Sequence, residues 1–408
     1  MGETPRQAGL LFSAQMASTF CSFGATVILG RTLPDSEYGR FAFCLSVIVI
    51  IALLFDFGLF SAGARLLALA ADRDSERTVL GALLMITAGF GLVLAAIIAT
   101  IAVPVDRFFN QDVHTLLLLA ATLAFFQPFQ LLLEQCCQGL NRIQLLSTFQ
   151  LLISGSNLVV LALFAAGHRL TAAAAVMASL AGTAIGSLVV VVRLKPRFSG
   201  ASGYFRQVLK DLRGYGFNIY LARVTATSAS LLDVPMISYF LGRANAGPAL
   251  LGRYSYAQKL GNPIATMSRA LAISRFRAFA KLTRVPGKIK VWNAALLIAA
   301  AAGLVFVGPL AVRLIFPNYE GAIPLLLPFA VLNVFAGLFQ PYNAFLASHG
   351  RGREIRNIAI AVTVASLGGI AVGLPLFGVA GAAWAGAVAM ALDYALHVYY
   401  YRKLQRDT

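Results

Sequence analysis

Three sets of polar residues fall at helical spacing inside otherwise apolar runs. Arg223, Thr227, Ser230 and Asp233 stand at i, i+4, i+7 and i+10, and Lys259, Asn262, Thr266 and Arg269 at i, i+3, i+7 and i+10. Each set makes one stripe along a helix. Gln15, Ser18, Ser22 and Thr26 repeat the pattern without charge. Lipid penalises such stripes and a dry interface leaves them unpaired, so together they predict a shared hydrated cavity. Arg223, Lys259 and Arg269 against Asp233 make that cavity net cationic, which suits an anionic ligand, and the planar fork of arginine suits phosphate. The competing reading has Lys259 and Arg269 snorkelling to the two interfaces while Arg223 pairs with Asp233.

Other polar residues within apolar runs read differently. Asp56, in LLFDFGLF, is either an ion or proton site or a helix-end contact to Arg65; it and Asp233 are the ion-coupling candidates. Gln127, Gln130 and Glu134 share a face that would make an internal hydrogen-bond seam, and Glu134 and Asp393 read as structural. No nucleophile and base pair, carboxylate cluster or nucleotide loop is evident. Cys21, Cys44, Cys136 and Cys137 lack metal-ligand spacing and read as apolar filler, and the four histidines are scattered, so no metal or other cofactor is expected.

The elements that must position these residues are membrane helices. The chain has 408 residues, 59% hydrophobic and 12% charged, with a mean hydropathy of +0.78. Average soluble domains are about a quarter charged. About twelve apolar runs reach the length that crosses a bilayer. The first two are 8–30 and 41–63, the seventh and eighth 214–241 and 252–275, and the last two 357–377 and 379–400. Most of the 33 Lys and Arg fall in alternate links, which places both termini in the cytoplasm. The net charge of +17 reflects this asymmetry and contact with anionic membrane lipids, not nucleic-acid binding.

An internal repeat organises the spans. LGRTLPDSEYGR at 29–40 returns as LGRANAGPALLGRY at 241–254, Phe126-Gln127-Pro128-Phe129 as Phe339-Gln340-Pro341-Tyr342, and residues 166–182 resemble 377–393. The offset stays at about 212 residues. Six spans separate each feature from its copy, so the copies share one membrane orientation and a pseudo-two-fold axis along the membrane normal should relate them. This predicts an all-α polytopic protein: a six-helix lobe over 1–196, an amphipathic cytoplasmic connector over 197–213 and a second six-helix lobe over 214–408. A cleft between the lobes would allow alternating access.

Within that scheme Pro34 and Gly39 are expected to turn the chain between the first two spans, in a link without evident chemistry. Pro128 and Pro341 each remove a helical hydrogen bond, as packing kinks or as hinges. Gly182 with Gly186, and Gly369 with Gly373, give the GxxxG spacing of close helix packing. In YFRQVLKDLRG, Tyr204, Phe205, Val208, Leu209 and Leu212 oppose Arg206, Lys210 and Arg213, as in a helix lying at the membrane surface.

ILGRTLPDSEYGRFAF, DFGL, QGLNR, LGRANAGPALLGRYSYAQKL and GVAGAAWAGA together resemble the polysaccharide transporter branch, with its O-antigen flippases, of the multidrug/oligosaccharidyl-lipid/polysaccharide exporter superfamily. The resemblance spans essentially the whole chain. It implies two lobes in a V, as in the MATE transporters, within a bacterial inner membrane. It further implies that the protein is not an enzyme but flips undecaprenyl-pyrophosphate-linked oligosaccharide to the outer leaflet for O-antigen or exopolysaccharide assembly. Cavity basic residues would meet the pyrophosphate or acidic sugars, and Arg223 and Lys259 match that type. The other expectations are a monomer, glycan polymerase and chain-length proteins as partners, and coupling to protons, sodium ions or the membrane potential. A cation-coupled small-molecule antiporter is the first alternative. A membrane-embedded glycan polymerase or ligase is the second, set against by short external links.

Overall fold

The computed structural model describes residues 3–68, 70, 72–140, 142–211, 220, 224, 232–241, 247–274, 279 and 282–407. No strand occurs among them, and the protein is an all-α polytopic membrane protein. Seven helices among the described residues are long and apolar enough to cross a bilayer, or eight if one bent pair is a single span.

The chain groups into two compact units. The first comprises Met1–Ala25, Cys44–Phe108 and Asp112–Val224. Its helices are α1 (Glu3–Thr32, shared with the second unit), α2 (Asp35–Leu54, likewise shared), α3 (Leu59–Ala68), α4 (Arg73–Phe109), α5 (His114–Ala124), α6 (Gln127–Gly139), α7 (Ile143–Ala166), α8 (Ala172–Leu194) and α9 (Ser202–Asp211). Local chemistry sets their ends. The Asp72 carboxylate accepts the Ser75 amide (2.8 Å) ahead of α4, and hydrogen bonding from Ser75 holds that carboxyl below its ordinary range. Thr171 caps α8 by accepting from the Ala174 amide (3.3 Å), and Lys195 closes it in the left-handed conformation (φ 51°).

Phe60, Leu83, Leu133, Cys136, Phe149 and Val208 are among the fully buried residues of this unit's core. Cys136 and its neighbour Cys137 both fill apolar space there, as expected. Val208 of α9 is part of the core, so the apolar face of α9 packs onto its unit; the side chains of Arg206, Leu209 and Lys210, and residues 212 and 213, lie outside the described set. Gly182 and Gly186 bring α8 onto α7: a Cβ on Gly182 would stand 2.8 Å from the Ile153 carbonyl oxygen.

The second unit comprises Thr26–Phe43, Phe109–Gln111 and Thr225–Thr408. It contains α10 (Leu232–Leu241), α11 (Gly247–Ser274), α12 (Gly287–Phe306), α13 (Gly308–Ile315), a 3-10 turn (Pro317–Ala322), α14 (Ile323–Leu338), α15 (Gln340–Ser348) and α16 (Gly352–Asp407). α16 is interrupted at Gly378 (φ 61°, ψ −153°), a conformation open to glycine. The two expected spans at 357–377 and 379–400 thus meet at a single residue. They fold onto each other where Gly373 faces Gly381, whose added Cβ would stand 2.0 Å from the Gly373 carbonyl oxygen.

The segment 26–43 belongs to this second unit through its own repeat. Gly39 does not turn the chain; it lies inside α2. A Cβ on Gly39 would stand 1.9 Å from the Pro248 carbonyl oxygen and 2.9 Å from the Gly252 amide, and a Cβ on Gly252 would stand 1.8 Å from the Asp35 carbonyl oxygen and 3.0 Å from the Gly39 amide. The contacts are reciprocal between repeat-related positions, as a local two-fold axis requires. Arg253 Nε meets Asp35 Oδ2 at 2.8 Å beside them. Tyr38 meets Tyr256 and Tyr319 edge-on and these two rings lie against each other with centroids 4.2 Å apart, all three buried, and the Tyr319 hydroxyl donates to the Leu33 carbonyl (3.1 Å). The link read from sequence as inert is therefore a packing junction with its own ion pair.

Candidate functional site: the polar faces of the membrane helices

α11 carries the best-described stripe. One side is committed to packing: Ser268 Oγ donates to the Gly337 carbonyl (2.6 Å), and Gly261 admits Asn333 and Phe329 of α14. The other side presents Lys259, Asn262 and Arg269, all exposed. Thr266 is half-buried and spends its hydroxyl on the Asn262 carbonyl (2.9 Å). Among the described residues no carboxylate lies within ion-pair distance of Lys259 or Arg269. Pro263 sits inside α11 and lacks an N–H, so the Lys259 carbonyl loses its helical donor and adds an acceptor at the same level. Two cations, an amide and a released carbonyl on one face can hold an anionic or heavily hydroxylated ligand.

Asp233 is not on that open face. It is buried, its carboxylate accepting from the Val234 amide (2.7 Å) and from Gln258 Nε2 (2.8 Å). It thereby pins α10 to α11 one residue before Lys259. Arg223, Thr227 and Ser230 lie outside the described residues. In the first span, Gln15 and Ser18 are half-buried and Ser22 is exposed, all in the first unit, whereas Thr26 is buried in the second.

Asp56 occupies the break that divides the expected second span into α2 and α3. Phe57 (φ 45°) and Gly58 (φ 86°) turn the backbone, the Asp56 carbonyl accepts the Leu59 amide (2.8 Å) and its carboxylate accepts the Phe60 amide (3.3 Å). Asp56 thus caps α3, fully buried, and the Tyr220 hydroxyl closes the far side on the Leu54 carbonyl (2.9 Å). DFGL is a helix break with its own N-cap.

Pro128 and Pro341 both begin the second half of a broken helix, α6 and α15. The seam expected from periodicity is present: Gln127 donates to Gln130 (3.4 Å), Gln130 to Glu134 (3.3 Å), and Thr183 of α8 to Gln130 (3.4 Å). A second buried arrangement escaped the sequence reading. His397 contacts Asp393 (2.9 Å) and Asn343 (3.4 Å) and stacks on Phe339; only a common face at i, i+4 hinted at it. Asp106, Asp112 and His114 cluster in the α4–α5 link with ligand atoms within 4.8 Å of one another. Asp106 there already accepts the Val113 amide (2.8 Å) and meets His114 Nδ1 (3.0 Å), which accounts for the cluster as a loop clasp.

Comparison with solved structures shows the same fold across nearly the whole chain. A lipid II flippase MurJ in an inward closed conformation matches with a TM-score of 0.77 at 12% identity, over 96% of this chain and 87% of that one. An inward-facing multidrug resistance MATE family transporter of the MOP superfamily matches with a TM-score of 0.68 at 19% identity, over 98% and 99%. A MOP superfamily transporter from Pyrococcus furiosus, described by the reverse polarity of its binding pocket, matches with a TM-score of 0.59 at 16% identity, over 98% and 96%. None of the curated proteins matches in sequence. A model of the family described as "Polysaccharide biosynthesis protein" matches residues 6–267, so this multi-pass protein with a MurJ- and MATE-like transporter fold belongs to the polysaccharide biosynthesis protein family.

Proposed function

We propose that the chain is a flippase that carries undecaprenyl-pyrophosphate-linked oligosaccharide across the bacterial inner membrane by alternating access, for O-antigen or exopolysaccharide assembly. The carrying observation is the exposed cationic face of α11, Lys259, Asn262 and Arg269, on a helix whose opposite side is fully committed to packing. A charge held in the bilayer costs about 2.5–3.5 kcal/mol on insertion scales, and an anionic headgroup against Lys259 and Arg269 offsets that cost. Arg223 is assigned to the same role from its spacing. Membership of the polysaccharide biosynthesis family supports a glycan substrate, and the MurJ-like fold supports a carrier over a glycan-joining enzyme.

The antiporter alternative needs an acid able to take up cations, and Asp56 and Asp233 are both buried and engaged with backbone or side-chain donors. Both termini are assigned to the cytoplasm. Protons, sodium ions and the membrane potential remain three routes of coupling.

Deleting the gene should make cells accumulate a lipid-linked repeat unit on the cytoplasmic leaflet, and the wild-type chain should restore export. The Lys259→Ala, Arg269→Ala double variant, expressed to wild-type level, should restore less than about a tenth of it, as expected for losing two charge-assisted contacts. Full rescue by that variant removes the α11 face from the pathway.

A further inference from the structure

A cavity of about 370 Å³ opens at one end of the first unit, lined by Arg73, Glu76, Arg77, Arg142, Arg193, Leu194 and Lys195. Three separate chain corners converge on it. Arg73, Glu76 and Arg77 lie on the first turns of α4, Arg142 precedes α7, and Arg193 and Lys195 end α8. The rim is held in place. Arg142 is paired with Glu76, the Arg197 amide donates to the Arg77 carbonyl (2.9 Å), and Gly81 lets the strand of chain at Arg197 lie against α4, where a Cβ would stand 2.2 Å from the Arg197 carbonyl oxygen.

The lining brings five cationic side chains together with one carboxylate. That carboxylate is taken by Arg142, and among the described residues no acid lies within ion-pair distance of Arg73, Arg77, Arg193 or Lys195. Gathering like charges around one hollow is unfavourable unless an anion shares it. Guanidinium groups approaching from several directions offer paired N–H donors to tetrahedral oxyanions. The volume falls at the lower end of the range for small-ligand pockets. The position is equally specific, because α4 and α8 are both long and apolar enough to be membrane spans and the cavity lies at their charged ends, the level at which a span generally meets lipid headgroups. Val192, on the last turn of α8, and Phe198, just after it, are exposed apolar side chains at that level.

We infer that this cavity is a phosphate-binding site of the first unit, filled by the headgroup of an anionic lipid or by a free phosphate compound. The inference is independent of what the protein transports, so loss of export and loss of this site can be told apart.

The test uses the full-length protein in neutral detergent, titrated separately with cardiolipin, phosphatidylcholine and inorganic pyrophosphate, with bound adducts read by native mass spectrometry and stability by thermal unfolding. Wild type should bind and be stabilised by cardiolipin but not by phosphatidylcholine if the source is lipid, or by pyrophosphate if it is a soluble phosphate; either supports the site. Arg77→Gln with Arg193→Gln should weaken that binding at least ten-fold. Arg77→Lys with Arg193→Lys should keep part of it, and Arg402→Gln with Arg406→Gln, exposed and distant in sequence, should leave it unchanged. Size-exclusion behaviour and the ligand-free midpoint show whether the glutamine variant is folded. The inference is overturned if neither phosphate probe binds wild type, or if a folded glutamine variant binds as wild type does.

Discussion

The triplet Phe-Gln-Pro occurs once in each half, and the two copies break their helices in different ways. At the first, α5 and α6 meet at an angle of 42° among the rings of Phe125, Phe126 and Phe129. At the second, α14 and α15 stay within one 32-residue apolar stretch. Proline removes the same bond in both, the one that would reach the carbonyl four residues earlier: Ala124 in the first, Gly337 in the second. The Gly337 oxygen is met by Ser268 Oγ of α11 (2.6 Å) and Asn293 Nδ2 of α12 (3.2 Å). Two neighbouring helices thus hold the freed carbonyl at the second break. The lesson is that proline frees the same backbone carbonyl in both copies, and the neighbouring helices decide what meets it.

That comparison can be broken most directly at Gly337. Replacing Ser268 and Asn293 together by alanine should destabilise the protein by about 2–4 kcal/mol, because a buried carbonyl is left with neither donor. Unfolding in detergent measures it, and an unchanged midpoint would show that the two side chains do not hold the break. A smaller effect is expected from His397→Phe, which keeps the stack on Phe339 but leaves Asp393 without its imidazole: about 1–3 kcal/mol by the same measurement. Smallest is Thr183→Val in the seam beside the first break. Losing its hydroxyl contact to Gln130 should cost about 0.5–1.5 kcal/mol, and a loss as large as that of the Ser268 and Asn293 pair would abolish the contrast.

What the residues announced, and what they hid, divides along the same physical line. Period and composition were enough for the membrane helices, the α11 stripe, the glutamine seam and both proline breaks, since each depends on one helix or on chain-local backbone chemistry. Cross-helix partners were not. Asp233 shares the spacing of Arg223, yet Gln258, on another helix, takes it into the interior. Gly39 reads as a turn because glycine in a link and glycine in a tight crossing look alike; its partner, Gly252, had been visible only as an echo. The basic cavity joins residues from 73 to 195 across three corners, and no window along the chain contains it.

The Gly39 and Gly252 crossing carries a further consequence. Residue i touches j while the equivalent of j touches the equivalent of i, which is the geometry of an isologous contact between identical subunits. Because each glycine closes on the backbone beside the other, a side chain gained at either has no room, and the two positions are coupled although they lie in separate halves of the sequence.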